Sequence, residues 1–252
     1  MASAFAVLNE TLPAPGWLLV GATALLAAAV SATSFALLTN LPKLLLNRVN
    51  VLGTLFHEGG HALVSIVTGG GVFRIEITGP ESGSTRQWNP SPLSDFLATA
   101  AGYAMPPLAG LGAAALLHRG LAPAVLALTS VVMLFVLFFS RDLITFAAVI
   151  VVGAVVFCAL RWAPEWLKNG IAYTEAWLLL TSEIGGLGAL VANRRGNSHS
   201  RDTAGLADDA ADLADDAADL AELTGIPGFV WIAAWLALIG WAVWHAVPLL
   251  WP

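Results

Sequence analysis

From Leu121 to Phe139, and again from Leu143 to Leu160, the chain carries no Asp, Glu, Lys, Arg or His. Each run is about as long as the hydrocarbon core of a bilayer is thick. In lipid, backbone polar groups pair only within their own helix or in a closed barrel, so such runs are read as helices. The break between them, "SRD" at 140–142, is short enough to make them antiparallel neighbours. Apolar segments recur at about 17–39, 45–68, 96–117, 121–140, 143–162, 170–192 and 228–250. The expected architecture is an all-α polytopic membrane protein with about seven transmembrane helices, forming a single membrane-embedded domain over 1–252. Hydrophobic residues make up 58% of the chain and charged ones only 11%, against about 25% charged in soluble domains.

Two stretches do not read as spans. "GGGVFRIEITGPESGSTRQW" sets Val72, Arg74 and Glu76 against Phe73, Ile75 and Ile77, then turns at "GPESG". This predicts a β-hairpin inserted at 69–90, after the second span. The other is a polar loop at 193–226, in which "ADDAADL" at 207–213 repeats unchanged at 214–220. Leu206, Leu213 and Leu220 fall seven apart, giving one thin apolar stripe on an acidic helix. That pattern favours a solvated surface helix resting its leucines on the bundle over a partner-binding or regulatory helix.

The formal net charge of −6 is concentrated between Asp202 and Glu222, which argues against a nucleic-acid partner. Cys158 is the single cysteine, so neither a disulfide framework nor a thiolate metal site is available. The N-terminus lacks the basic start of a cleaved signal peptide, so the first span is expected to be retained.

Within the second span, "LFHEGGHALVS" places three ionisable side chains in an otherwise apolar run. Residues four apart share one helical face, so His57 and His61 can offer two imidazole nitrogens to one metal ion. Glu58 can then reach a metal-bound water as general base. Zinc suits this chemistry because it lowers the pKa of water to about 7 without redox activity. Five His and eight Glu in random order would give roughly 0.003 matches to H-E-x-x-H. Ionisable residues in lipid are costly and point to function by default.

The stretch "FHEGGHALVSIVTGGGVFRIEITGPESGSTR", with "AGYAMPPLAG" and "DDAADLAELTGIPGFVWIAAW", resembles the M50B-like branch of the site-2 protease family, the zinc intramembrane metallopeptidases. The resemblance implies zinc held by His57 and His61, Glu58 as catalytic base, and hydrolysis of peptide bonds in membrane-protein or peptide substrates at the lipid bilayer. It also implies an integral, multi-pass protein, expected in the cell (plasma) membrane. The competing class is a non-catalytic scaffold or a metal-binding transporter that retains the fold. No internal repeat of helices is evident, which gives transport little support.

The wider family draws its third ligand from an "LDG"-type motif, which this chain lacks. His61 lies seven residues before Thr68, hence about 10 Å below the hairpin side of the membrane. Asp142 is the first expectation, because the span preceding it would run parallel to the histidine helix. Glu183 and Asp95 are the alternatives. For substrate, the expectation is an unwound peptide adding to the hairpin edge beside Phe73, Ile75 and Ile77.

Overall fold

A computed structural model describes residues 4–32, 50–79, 82–196 and 208–251. It comprises α1 (Ala4–Leu8), α2 (Trp17–Ala32), α3 (Val51–Val67), β1 (Gly71–Gly79), β2 (Ser82–Trp88), α4 (Pro92–His118), α5 (Ala122–Phe139), α6 (Leu143–Trp162), α7 (Glu165–Gly196), α8 (Asp208–Thr224) and α9 (Gly228–Leu250). Among the described residues, α4, α5, α6 and α9 are long and apolar enough to cross a membrane, while α2 and α3 are shorter apolar helices. The expected segments 17–39 and 45–68 therefore appear as α2 and α3, with residues 33–49 outside the described part. The segment 170–192 lies inside the longer α7. The "GPESG" turn is described only in part, and the polar loop at 197–207 lies outside the described residues.

Helix α4 is the central element, packing against α3, α7 and α9. Its start is written in the sequence: Ser91 caps it, its hydroxyl accepting from the Ser94 N–H at 3.2 Å, and Pro92 occupies the first turn. Small residues set how closely the helices approach. A Cβ on Gly60 would lie 2.7 Å from Met105 Cβ, and one on Gly110 would lie 2.8 Å from the Leu180 amide nitrogen. The α3–α4 and α4–α7 contacts are thus backbone-close.

The hairpin follows α3 without a linker. Gly69 has φ of 89°, a conformation that only glycine adopts cheaply, and Gly70 N–H bonds to Ser65 O at 2.8 Å while Gly69 N–H bonds to Ile66 O at 3.0 Å. This is the glycine-closed helix end in which the chain reverses and satisfies the last carbonyls. The predicted hairpin is present as an antiparallel pair with Ile75 opposite Thr85 and Ile77 opposite Gly83.

The expected alternation breaks at one place. A register shift between Val72 and Arg74 leaves Phe73 unpaired and 63% exposed, whereas Ile75 and Ile77 are buried. A bulge adds one residue to one strand and thereby re-aims the side chains around it. The outer edge of β1 is also engaged. Ile75 bridges to Ser140, and Ile77 N–H donates to Thr145 Oγ1 at 2.6 Å. Ile75 and Ile77 therefore belong to the core formed with Leu55, Met133 and Val149, and do not present a substrate surface.

The acidic helix docks rather than floats. Leu220 and Ala217 are fully buried against Tyr103, Leu187, Ile232 and Trp235. Leu220, the last leucine of the expected stripe, rests on the bundle, while Leu206 lies outside the described residues; Asp216, one turn before Leu220, does not face solvent.

Candidate metal centre

Helix α3 presents His57, Glu58 and His61 to a cavity of about 190 Å³, bounded by β2, α4, α7 and α8. The imidazole rings meet edge-on with centroids 4.9 Å apart. A third group converges on them from α8: Asp216 Oδ2 lies 3.3 Å from Nε2 of His57 and 3.3 Å from Nε2 of His61. One donor atom from each of the three residues lies within 4.8 Å of the others.

Hydrogen bonds on the far side of each ring fix the role of the near side. His61 Nδ1 is 2.8 Å from the carbonyl oxygen of Ala98. A carbonyl only accepts, so Nδ1 carries the proton and Nε2 of the neutral ring is a lone pair. His57 Nδ1 meets Glu183 Oε2 at 3.3 Å, which gives His57 the same tautomer. Two lone pairs and a carboxylate oxygen then point at one spot. Asp216 Oδ2 is buried there with no hydrogen-bond donor. Three acceptors without a donor repel one another unless a cation lies between them.

The fit to zinc is good. Two imidazole nitrogens and a carboxylate oxygen suit that ion. Metal–ligand bonds of about 2.0 Å in a tetrahedron separate neighbouring ligands by roughly 3.3 Å. Outer partners on both imidazoles, Glu183 and Ala98, are the usual means of orienting histidine ligands. Helix α4 keeps the spot open with Gly102, where a Cβ would run into His61 Nε2 and His57 Nε2. Tyr103, next in sequence, packs its ring on His57 at 4.6 Å.

Glu58 sits beside the donors, 4% exposed. Thr85 on β2 donates to its Oε2 at 2.7 Å and also lies 3.1 Å from its backbone carbonyl. A Cβ on Gly83 would come within 2.9 Å of Glu58 Oε1, so β2 lies directly over this side chain.

A match to the Peptidase M50B-like family spans residues 22–246. The chain belongs to this peptidase family. No curated protein and no solved structure matches it. The family implies a metallopeptidase, and the membrane-length helices agree with an integral membrane protein.

The expected site residues separate into two groups. His57, Glu58 and His61 come together as the spacing predicts. Asp142 lies elsewhere: it is the N-cap of α6, with its Oδ1 accepting from the Thr145 N–H at 2.8 Å. Desolvation opposes its ionisation, but the bonds from Thr145 outweigh this and hold its carboxyl below the ordinary value. A helix start demands such a residue, and that demand accounts for Asp142. Asp95 is likewise occupied, accepting from Asn89 Nδ2 at 2.8 Å in the first turn of α4. Glu183 is in the centre, at the back of His57 rather than among the converging donors. Phe73, Ile75 and Ile77 are replaced at the cavity by β2 residues Ser82, Gly83, Ser84, Thr85 and Gln87.

The carboxylate that sequence reasoning passed over is Asp216. Its signal was present: Leu220 is four residues after it and Leu213 three before it, so one helical face carries all three. An acid inside the apolar stripe is the exception on that helix. Asp209 occupies the same place in the first repeat, which is why the pattern does not single out Asp216.

Proposed function

We propose that this chain is a zinc-dependent intramembrane endopeptidase of the site-2 protease type, acting on membrane-protein or peptide substrates at the bilayer. The observation that carries this reading is the convergence of two imidazole lone pairs and the Asp216 carboxylate next to a buried glutamate. His57, His61 and Asp216 would hold the ion. Zinc bound there supplies Lewis acidity, lowering the pKa of a water molecule and polarising the scissile carbonyl.

The protein's own groups supply positioning and proton transfer. Thr85 engages Glu58 Oε2 and leaves Oε1 to accept a proton from the attacking water. That proton then passes from Glu58 to the departing amine nitrogen, so one peptide bond and one water become a carboxylate and an amine. Glu183 and the Ala98 carbonyl fix the imidazole tautomers throughout. Strand β2 lines the cavity while the outer edge of β1 is engaged at Ser140 and Thr145, so β2 is the strand along which an extended peptide would lie. All seven apolar segments are read as spanning or entering the bilayer, with α2 and α3 as its shorter members.

The decisive experiment is Glu58→Gln in membranes holding a labelled single-span substrate. Cleavage should fall by at least about 10²-fold, the usual contribution of a general base, while bound zinc stays near one per chain. Unchanged cleavage in Glu58→Gln would sink the assignment. Zinc bound by a wild-type protein that cleaves nothing would favour a metal-binding transporter or scaffold.

A further inference from the structure

A second cavity lies on the opposite side of α3. It measures about 490 Å³ and is bounded by α3, α4, α5 and α7. Its wall includes Phe56 and Gly59, immediate neighbours of His57 and Glu58 in sequence. The size and apolar lining are those of a small-molecule site, which typically spans about 300–1,000 Å³ with a few placed polar groups. Here the polar groups are two, Thr129 and Glu175.

Glu175 is 4% exposed and Thr129 3%. The Thr129 hydroxyl donates to Glu175 Oε1. Glu175 Oε2 is buried with no partner, on a wall that contains no Lys, Arg or His. Thr129 is the eighth residue of the 18-residue α5. The pair therefore sits near the middle of a membrane span, where an unmatched polar atom is most costly. The cavity opens sideways toward the bilayer, because Leu63, Gly112, Leu128 and Val131 of its wall are exposed, and a Cβ on Gly112 would meet nothing within 4 Å. An open apolar groove with one unsatisfied carboxyl oxygen describes its ligand by complement.

We infer that this cavity binds a neutral membrane amphiphile, an alkyl chain carrying one free hydroxyl, which hydrogen-bonds with Glu175 Oε2 while its chain fills the space between α4 and α5. A hydroxyl is favoured over an ammonium because bringing a cation to mid-bilayer depth is far more costly. The site is separate from the metal centre and its ligand takes no part in hydrolysis, so the test does not depend on peptidase activity.

The test uses the full chain in phosphatidylcholine nanodiscs, photolabelled with hexadecanol bearing a mid-chain diazirine. Adducts should map to α4 and α5 by mass spectrometry. Gly112→Phe, which fills the chamber, should lower labelling at least fivefold with zinc content unchanged. Glu175→Leu should lower it at least threefold. Unlabelled hexadecanol should compete and hexadecane should not. Labelling that survives Gly112→Phe would overturn the site itself. Equal competition by hexadecane would reduce the chamber to an apolar crevice, and stronger competition by hexadecylamine would overturn the neutral head group.

Discussion

Helices α3 and α8 build the candidate metal centre from opposite starting materials. In α3 the polar residues are the exceptions, three ionisable groups in an apolar run. In α8 the large apolar residues are the exceptions, three leucines in seventeen residues, and Asp216 is one acid among many. Each helix nonetheless delivers its donor by the same means, an apolar face that fixes rotation about the axis. Leu55 and Phe56 seat α3, and Ala217 and Leu220 seat α8. The difference teaches that a ligand is marked by the face it shares rather than by its contrast with neighbours in sequence.

The comparison breaks most sharply at the donors. Asp216→Ala should abolish stoichiometric zinc, as should His57→Ala, while Asp209→Ala, its counterpart in the first repeat, should retain it. Metal analysis of the purified variants checks this, and equal loss from both aspartates would mean that the helix has no unique register. A smaller effect is expected one layer out. Glu183→Gln keeps the shape but weakens the hold on His57 Nδ1, and should reduce zinc affinity by roughly 10–100-fold, the usual cost of losing an outer partner. Competition with a chelator of known affinity measures it.

The smallest effect falls on Asp142. Asp142→Ala should leave zinc content intact and cost about 1 kcal/mol of stability through loss of the α6 cap. The sign with pH follows from its lowered value: the folded state prefers the carboxylate, so the contribution is complete above the unfolded pKa and fades as pH falls through the folded one. Thermal unfolding of wild type and variant should therefore converge under acid conditions, and a gap that persists there would exclude the cap as the cause.

Much of this was legible from residues alone. The i, i+4 histidines and their glutamate are a local pattern, and a helix converts spacing directly into geometry. The hairpin and its glycine entry are equally local. What escaped depends on docking. The burial of Ile75 and Ile77 comes from contacts with Ser140 and Thr145, far along the chain, and the bulge that turns Phe73 outward has no composition cue. Asp142 misled because one residue type serves as cap and as ligand, and depth in the membrane does not tell the two apart. Asp216 escaped because the heptad is duplicated, so its special place exists only once α8 has settled against Tyr103 and Trp235.

The donor on α8 also has a consequence for biosynthesis. The histidines leave the ribosome early, whereas Asp216 emerges on the order of ten seconds later at typical elongation rates. Until then the nascent chain holds an incomplete ligand set. A product truncated anywhere before α8 would lack the third of the three converging donors, and with it the proposed activity.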